Sequence, residues 1–239
     1  MKPFPSFTVV TLFPGMFDGV FGESIIGRAR EAGLVHVDFV NPRDFSTDRH
    51  RKVDDRPFGG GPGMIMMAEP LYRAIKAARS QASGGVVPWV VHLSPQGRRF
   101  DADAAAEFAQ RRSVVLVCGH YEGIDERLAS AYDDEVSVGD FVLTGGEIAA
   151  MAVVDAVTRL VPGVLAEAAV QAESFFPSSE GSRRLDHPHY TRPRVWRGKK
   201  VPAALLSGDH GRISAWRSRA AAAATRRKRP DLMRSKEES

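Results

Sequence analysis

The chain has 239 residues, 43% of them hydrophobic, enough to bury a core in one large domain or two unequal ones. Its longest apolar runs, 86–91 and 114–117, are strand length, far below the ~20 residues of a bilayer span, and its first residues (MKPFPSF) lack a signal-peptide stretch, so a cytoplasmic protein with no membrane partner is expected. A single cysteine, Cys118, excludes an internal disulfide framework and a cysteine-rich metal site, and the net charge of +4 divides into −7 before Arg183 and +11 from it onward.

In chain order, FTVVTL (7–12) reads as a strand, 16–32 as a helix and VHVDFV (35–40) as a second strand. RPFGGGPGMIMM (56–67) interrupts the pattern with four glycines and two prolines. A helix is expected over 69–82, a strand over 89–93 (WVVHL), a helix over 101–111 and a strand over 113–118 (SVVLVC). GEIAAMAVVDAVTRL (146–160) reads as a longer helix, punctuated by Pro162 and Gly163. From 166 to 184 periodicity dissolves, and FFPSSEGSRR reads as a linker or mobile loop. Residues 213–225 are helix-like, and RRKRPDLMRSKEES (226–239) reads as a charged, frayed end. The strands are continuous and apolar, as strands buried on both faces should be. Their alternation with helices implies an α/β layer with a mainly parallel sheet.

Four segments carry more glycine and polar residues than a core needs. RPFGGGPGMIMM lets backbone amides approach a ligand, but it is neither a P-loop nor a dinucleotide fingerprint; a surface loop with a tight turn explains it equally. HLSPQG (92–97) and CGHYEGIDER (118–127) each follow a strand, where open α/β sheets bind ligands. Tyr121, Glu122 and Asp125 can pair with a ribose or an amine, or stand as solvated loop residues. SVGDFVLTGGE (137–147) offers a bent, glycine-flanked backbone suited to an adenine edge, and places Glu147 in a first helical turn, where an acid complements the dipole. The basic segment behind an acidic body points to nucleic acid, or to a solubilising tail.

Taken together, HLSPQG, CGHYEGIDER and SVGDFVLTGGE resemble the cofactor loops of the bacterial tRNA (guanine-N1)-methyltransferase family, TrmD. TLFPGMF, RPFGGGPGM, HYTRP and LLSGDH match in the same order, so the resemblance covers nearly the whole chain. It implies a SPOUT fold with a deep trefoil knot, S-adenosylmethionine as methyl donor, a homodimer with active sites at the subunit interface, and guanine at tRNA position 37 as target. The implied domains are a methyltransferase domain at 1–165, a flexible linker at 166–184 and a helical tRNA-binding domain at 185–239. The implied cofactor contacts are Leu93, Ser94, Pro95, Gln96 and Gly97, then Gly119, Tyr121, Glu122 and Gly123. Ser137, Val138, Gly139, Asp140, Phe141, Val142, Leu143, Gly145 and Gly146 complete the set.

Guanine N1 carries a proton and needs a base, with a donor near O6 to hold developing charge. The resemblance implies Glu173 as base, in Glu-Ser-Phe where the family has Asp-Ser-Phe, on an approach one residue shorter than usual; Glu167 is a second candidate. Arg159 matches the family arginine that approaches guanine, and Asp186 a second carboxylate near the substrate. Further departures are Phe141 for a usual Tyr, Ala149 for a usual Pro, and a longer stretch between Phe175 and Asp186. Thr191, Arg192, Ser207, Asp209 and His210 match family RNA-binding positions, while Arg212, Arg217, Arg219, Arg226, Arg227 and Arg229 can meet phosphates. Tyr190, Trp196 and Trp216 read as core residues of a small helical module. No metal ligands are assigned, His187 and His189 included; magnesium is implied only as an activator. The remaining readings are a knotted methyltransferase acting on another RNA and a non-catalytic RNA-binding relative.

Overall fold

Successive residues of the first strand enter two different cores. Phe7 and Val9 join one cluster and Val10 the other, because strand side chains alternate faces and both faces here are covered. The computed structural model describes residues 5–81, 85–176 and 183–233. The chain divides into two compact units, Met1–Leu165 and Ala166–Ser239.

The first unit runs β1 (Ser6–Val10), α1 (Asp18–Gly22), α2 (Ser24–Glu31), β2 (His36–Val40), β3 (Asp54–Asp55), β4 (Ile65–Met66), α3 (Ala68–Ser80) and β5 (Trp89–Arg99), then α4 (Ala102–Ala109), β6 (Ser113–Cys118), β7 (Asp134–Ser137) and α5 (Glu147–Thr158). The central sheet has the order β2-β1-β6-β5-β7 and every pair in it is parallel. On one face, Phe7, Val9, Val114 and Leu116 meet Val153, Val154 and Val157 of α5 and Phe108 of α4. On the other, Val10, Val115 and Val117 meet Leu71, Ala74 and Ile75 of α3. Each of the Val, Leu, Ile and Phe side chains among these contributes roughly 1.5–3 kcal/mol by leaving water.

The expected helix over 16–32 is broken. A 3-10 turn (Pro14–Phe17) leads into α1, Glu23 is extended, and Ser24, the first residue of α2, adopts φ 55°. The break brings Gly27 against the preceding turn, where a Cβ would sit 2.6 Å from the Gly22 carbonyl oxygen. Strand β5 continues six residues past its predicted end, and β7, unpredicted, lies beside it. The glycine-rich segment is closed at its base by the antiparallel pair β3-β4.

The second unit contains α6 (Glu167–Gln171), the two-residue strands β8 (Val195–Trp196) and β9 (Lys199–Lys200), and the long helix α7 (His210–Lys228). α7 is longer than predicted at both ends, and Pro230–Met233 adds a 3-10 turn where fraying was expected. Residues 177–182 of the expected loop and 234–239 of the expected frayed end lie outside the described residues. Asp209 caps α7 by accepting from the Arg212 N–H at 3.0 Å. Only Ala221, Ala224 and Thr225 of α7 are buried. Contrary to the expectation of core aromatics, Tyr190 is 49% and Trp196 58% exposed. The loop holding Tyr190 and the two-residue strand holding Trp196 give such rings no second layer to pack under. Among the described residues, no helix is long and apolar enough to cross a membrane.

Candidate active site

Three neighbouring strands, β6, β5 and β7, end at the same edge of the sheet, and the segments that leave them enclose a cavity of about 640 Å³. That volume suits a small organic ligand. Each wall is shaped by backbone. Beyond Leu93, β5 leaves its register with β7 and resumes it at Arg98, so Ser94, Pro95 and Gln96 bow into the cavity. Gly97 sits where any Cβ would overlap the Glu135–Val136 peptide, with the Glu135 carbonyl oxygen 2.6 Å away. The wall after β6 and the wall before α5 are clasped together. The Gly146 N–H donates to the Gly119 carbonyl at 2.8 Å, and a Cβ on Gly146 would lie 2.7 Å from the Cys118 Cα. The third turn is fixed by Ser137, whose hydroxyl donates to the Gly139 carbonyl at 3.0 Å.

The glycine-rich segment supports this clasp from behind. The Glu122 N–H donates to the Met64 carbonyl (3.0 Å), the Met66 N–H to the Gly123 carbonyl (2.9 Å), and the Asp125 N–H to the Met66 carbonyl (3.1 Å). Gly63 has φ 78°, and a Cβ there would overlap the Glu122 side chain. Gly63 thus serves a close fit beside the cavity, and none of the four glycines lines it.

Of the expected contacts, Leu93 to Gln96, Gly119, Tyr121, Glu122, Gly123, Ser137, Val138, Gly139, Phe141, Val142, Leu143, Gly145 and Gly146 all line this one cavity; Gly97 and Asp140 do not. Sequence reasoning misses His92, His120, Tyr132 and residues 133–136, which also line it. The two histidines lie inside the quoted motifs, so the signal was present; Tyr132 carried none. His92 stacks on Tyr132 (ring centroids 4.8 Å apart) and holds Glu135 at 3.1 Å. Burial pushes the His92 pKa down, partly opposed by Glu135. Burial pushes the Tyr132 pKa up. The Tyr132 hydroxyl and His120 Nδ1 are buried without a hydrogen-bond partner.

Six acidic residues line the cavity and, among the described residues, no Lys or Arg does. Some of these acids are neutralised from outside it: Asp125 by Arg127, which holds its pKa down to about 2, Asp133 by Arg79 and Asp134 by Arg98. Glu147 is not the exposed helix-start acid that its position allowed. It is 1% exposed, accepts from Thr11 Oγ1 at 2.8 Å and lies 3.8 Å from His120 Nδ1. It ties the end of β1 to the cavity wall. Beside it, Cys118 is buried, and burial first, then the charge of Glu147, raises its thiol pKa.

Arg159 is the C-cap of α5, half-buried, and does not line the cavity. In the second unit, Glu167 begins α6 and accepts from Gln171 at 2.9 Å. Glu173 lies in the turn after α6, half-buried. Its neighbour Ser174 accepts from the Asp186 N–H at 2.9 Å, and the Phe175 N–H donates to the Arg184 carbonyl at 2.9 Å. The Glu-Ser-Phe turn and the Asp186 segment are thereby joined. Thr191, Arg192, Ser207, Asp209 and His210 are all exposed, with Ser207 and Asp209 shaping the start of α7. Arg229 is paired with Asp231 at 2.6 Å; Arg212, Arg217, Arg219, Arg226 and Arg227 are exposed.

Fold and cavity define an α/β protein with a cavity of small-ligand size at the carboxyl edge of a parallel sheet. A family model described as tRNA (Guanine-1)-methyltransferase TrmD matches residues 6–235. Three relatives are each named tRNA (guanine-N(1)-)-methyltransferase. That of Anaeromyxobacter sp. (strain K) is 54% identical, covering 94% of this chain and 89% of the relative. That of Desulforudis audaxviator (strain MP104C) is 53% identical, covering 95% and 88%. That of Halorhodospira halophila (strain DSM 244 / SL1) is 50% identical, covering 96% and 85%. The chain belongs to the TrmD family of tRNA (guanine-1)-methyltransferases.

Proposed function

We propose that this chain transfers a methyl group from S-adenosylmethionine to N1 of guanine at position 37 of tRNA. The observation that carries the reading is the convergence of the three motif loops on one cavity. The cavity fits the donor. It offers two buried polar atoms without hydrogen-bond partners, on His120 and Tyr132, a glycine clasp that a Cβ would fill, and an acidic lining suited to a cation. When bound, S-adenosylmethionine supplies a methyl group on a cationic sulfur, already a strong electrophile.

The chain's own residues then orient the reactants and move one proton. Backbone amides and carbonyls of the loops after β6 and β7 hold the adenosine end. Glu173 takes the N1 proton as N1 bonds to the methyl carbon and the C–S electron pair returns to sulfur. Arg159 holds the charge developing on O6, and Asp186 assists near the base. Thr191, Arg192, Ser207, Asp209, His210 and the arginines of α7 hold the tRNA, with the target guanine flipped from its stack. The working unit is a homodimer with active sites at the interface and a knotted methyltransferase domain at 1–165. Exposed Val142 and Ile148 near the cavity, and fully exposed Phe58, are apolar surface that a second copy would cover. Residues 166–184 act as linker and 185–239 as the tRNA-binding domain. The location is cytoplasmic, and magnesium enters only as an activator.

Calorimetry with S-adenosylmethionine, followed by single-turnover methyl transfer to tRNA bearing guanine or adenine at position 37, tests this reading. Donor binding and methylation of the guanine form alone are expected. Absence of donor binding would overturn the enzyme reading, and transfer to ribose or to another RNA would overturn the substrate.

A further inference from the structure

The sequence offered two histidines without an acid in a defined geometry. The fold supplies one. In LDHPH (185–189), His187 Nδ1 lies 2.5 Å from Asp186 Oδ1, and His189 Nε2 lies 2.8 Å from Asp186 Oδ2. One ligating atom from each of the three residues lies within 4.8 Å of the others, and the imidazole centroids are 4.5 Å apart. The segment is held from both sides: the Leu185 N–H donates to Thr225 Oγ1 and the Asp186 N–H to Ser174 Oγ, each at 2.9 Å. His187 is mostly buried, with Trp216 against its ring, while His189 is open to solvent.

We propose that Asp186, His187 and His189 form a binding site for one divalent transition-metal ion of the zinc, cobalt or nickel class. Two imidazole nitrogens and one carboxylate oxygen are a borderline donor set. It favours these ions over magnesium or calcium, which prefer oxygen ligands. Three protein ligands leave a coordination position open on the solvent side, beside His189. Without an ion, each imidazole donates a hydrogen to the carboxylate. To bind an ion, each ring turns the lone pair of a nitrogen to the metal and carries its hydrogen on the other nitrogen. The site goes beyond the methyl-transfer reading and touches it at one point: an Asp186 carboxylate bound to metal is not free as a base, which leaves that role to Glu173.

The test uses the full chain after chelator treatment, without RNA or methyl donor, so its outcome is independent of the methyl-transfer reading. Zinc is titrated by equilibrium dialysis with elemental analysis, and cobalt by its visible d–d absorption. One ion per chain at micromolar concentration is expected. His189→Asn, at an exposed position, should weaken binding by at least about tenfold, as should His187→Asn. Circular dichroism confirms that each variant is folded. No zinc at micromolar levels, or equal affinity in the double variant, would reduce the trio to a hydrogen-bonded cluster and overturn the proposal.

Discussion

The cavity of the first unit and the Glu173–Asp186 region of the second are built on different physics. The cavity is backbone held by backbone: three loops from adjacent parallel strands, clasped where Gly146 meets Gly119 and Cys118. Gly97 and Gly146 leave no room for a Cβ against the neighbouring backbone. The second unit presents side chains from turns and a largely exposed helix, in which only three residues are buried. Backbone binding demands one geometry and therefore one set of residues. A side chain on an open turn can be exchanged for one of similar chemistry, and it is here that the resemblance sets Glu173 against a family Asp.

The largest effect expected from this division is on rate. Glu173→Gln should lower single-turnover methyl transfer by roughly two to four orders of magnitude while leaving donor affinity unchanged. A normal rate would move the base to Asp186 or Glu167, and a lost affinity would break the division itself. Next comes Gly97→Ala. It should cost about 1–3 kcal/mol of stability in denaturant unfolding, because its Cβ meets the β7 backbone. If affinity alone fell and stability held, Gly97 would be a ligand contact instead of a fitting residue.

The smallest effect belongs to His92. Its pKa is lowered by burial, so between neutrality and lower pH the unfolded chain takes up a proton that the folded chain refuses. Its contribution to stability is therefore present above about pH 6.5 and is lost as pH falls. Unfolding free energies measured from pH 7 to 5 should decline less steeply in His92→Asn. Parallel slopes would show that burial of this ring carries no such linkage.

Much of the first unit was legible in the sequence because its central strands β1 and β6 are buried on both faces. SVVLVC was placed without error and FTVVTL within two residues, since largely apolar runs of that length have few other uses; VHVDFV, an edge strand with His36 and Asp38 exposed, was placed within one residue. DEVS of β7 has no such run: it is an edge strand with only Val136 and Ser137 buried. The break at Glu23 was hidden because what accompanies it, Gly27 packed against Gly22, is a fit between backbones and not a composition. The cavity's motif residues were found through resemblance, yet the partners that shape it were not. Met64 and Met66 reach Glu122 and Gly123 across more than fifty residues of chain, and Thr11 reaches Glu147 across 136. Pairings at such separation leave no local pattern. Asp186 joined to two histidines is local, but the main chain that carries it is held by Ser174 and Thr225 from elsewhere in the unit.

The clasp also decides the fate of the chain's one thiol. Cys118 is where the Gly146 backbone comes closest, and its sulfur is buried beside the charge of Glu147. A thiol so placed stays protonated and out of reach, so peroxide and electrophiles meet no thiolate. The wall that grips the ligand is thereby insulated from the redox state of its surroundings, although it contains the only residue of the chain able to form a disulfide.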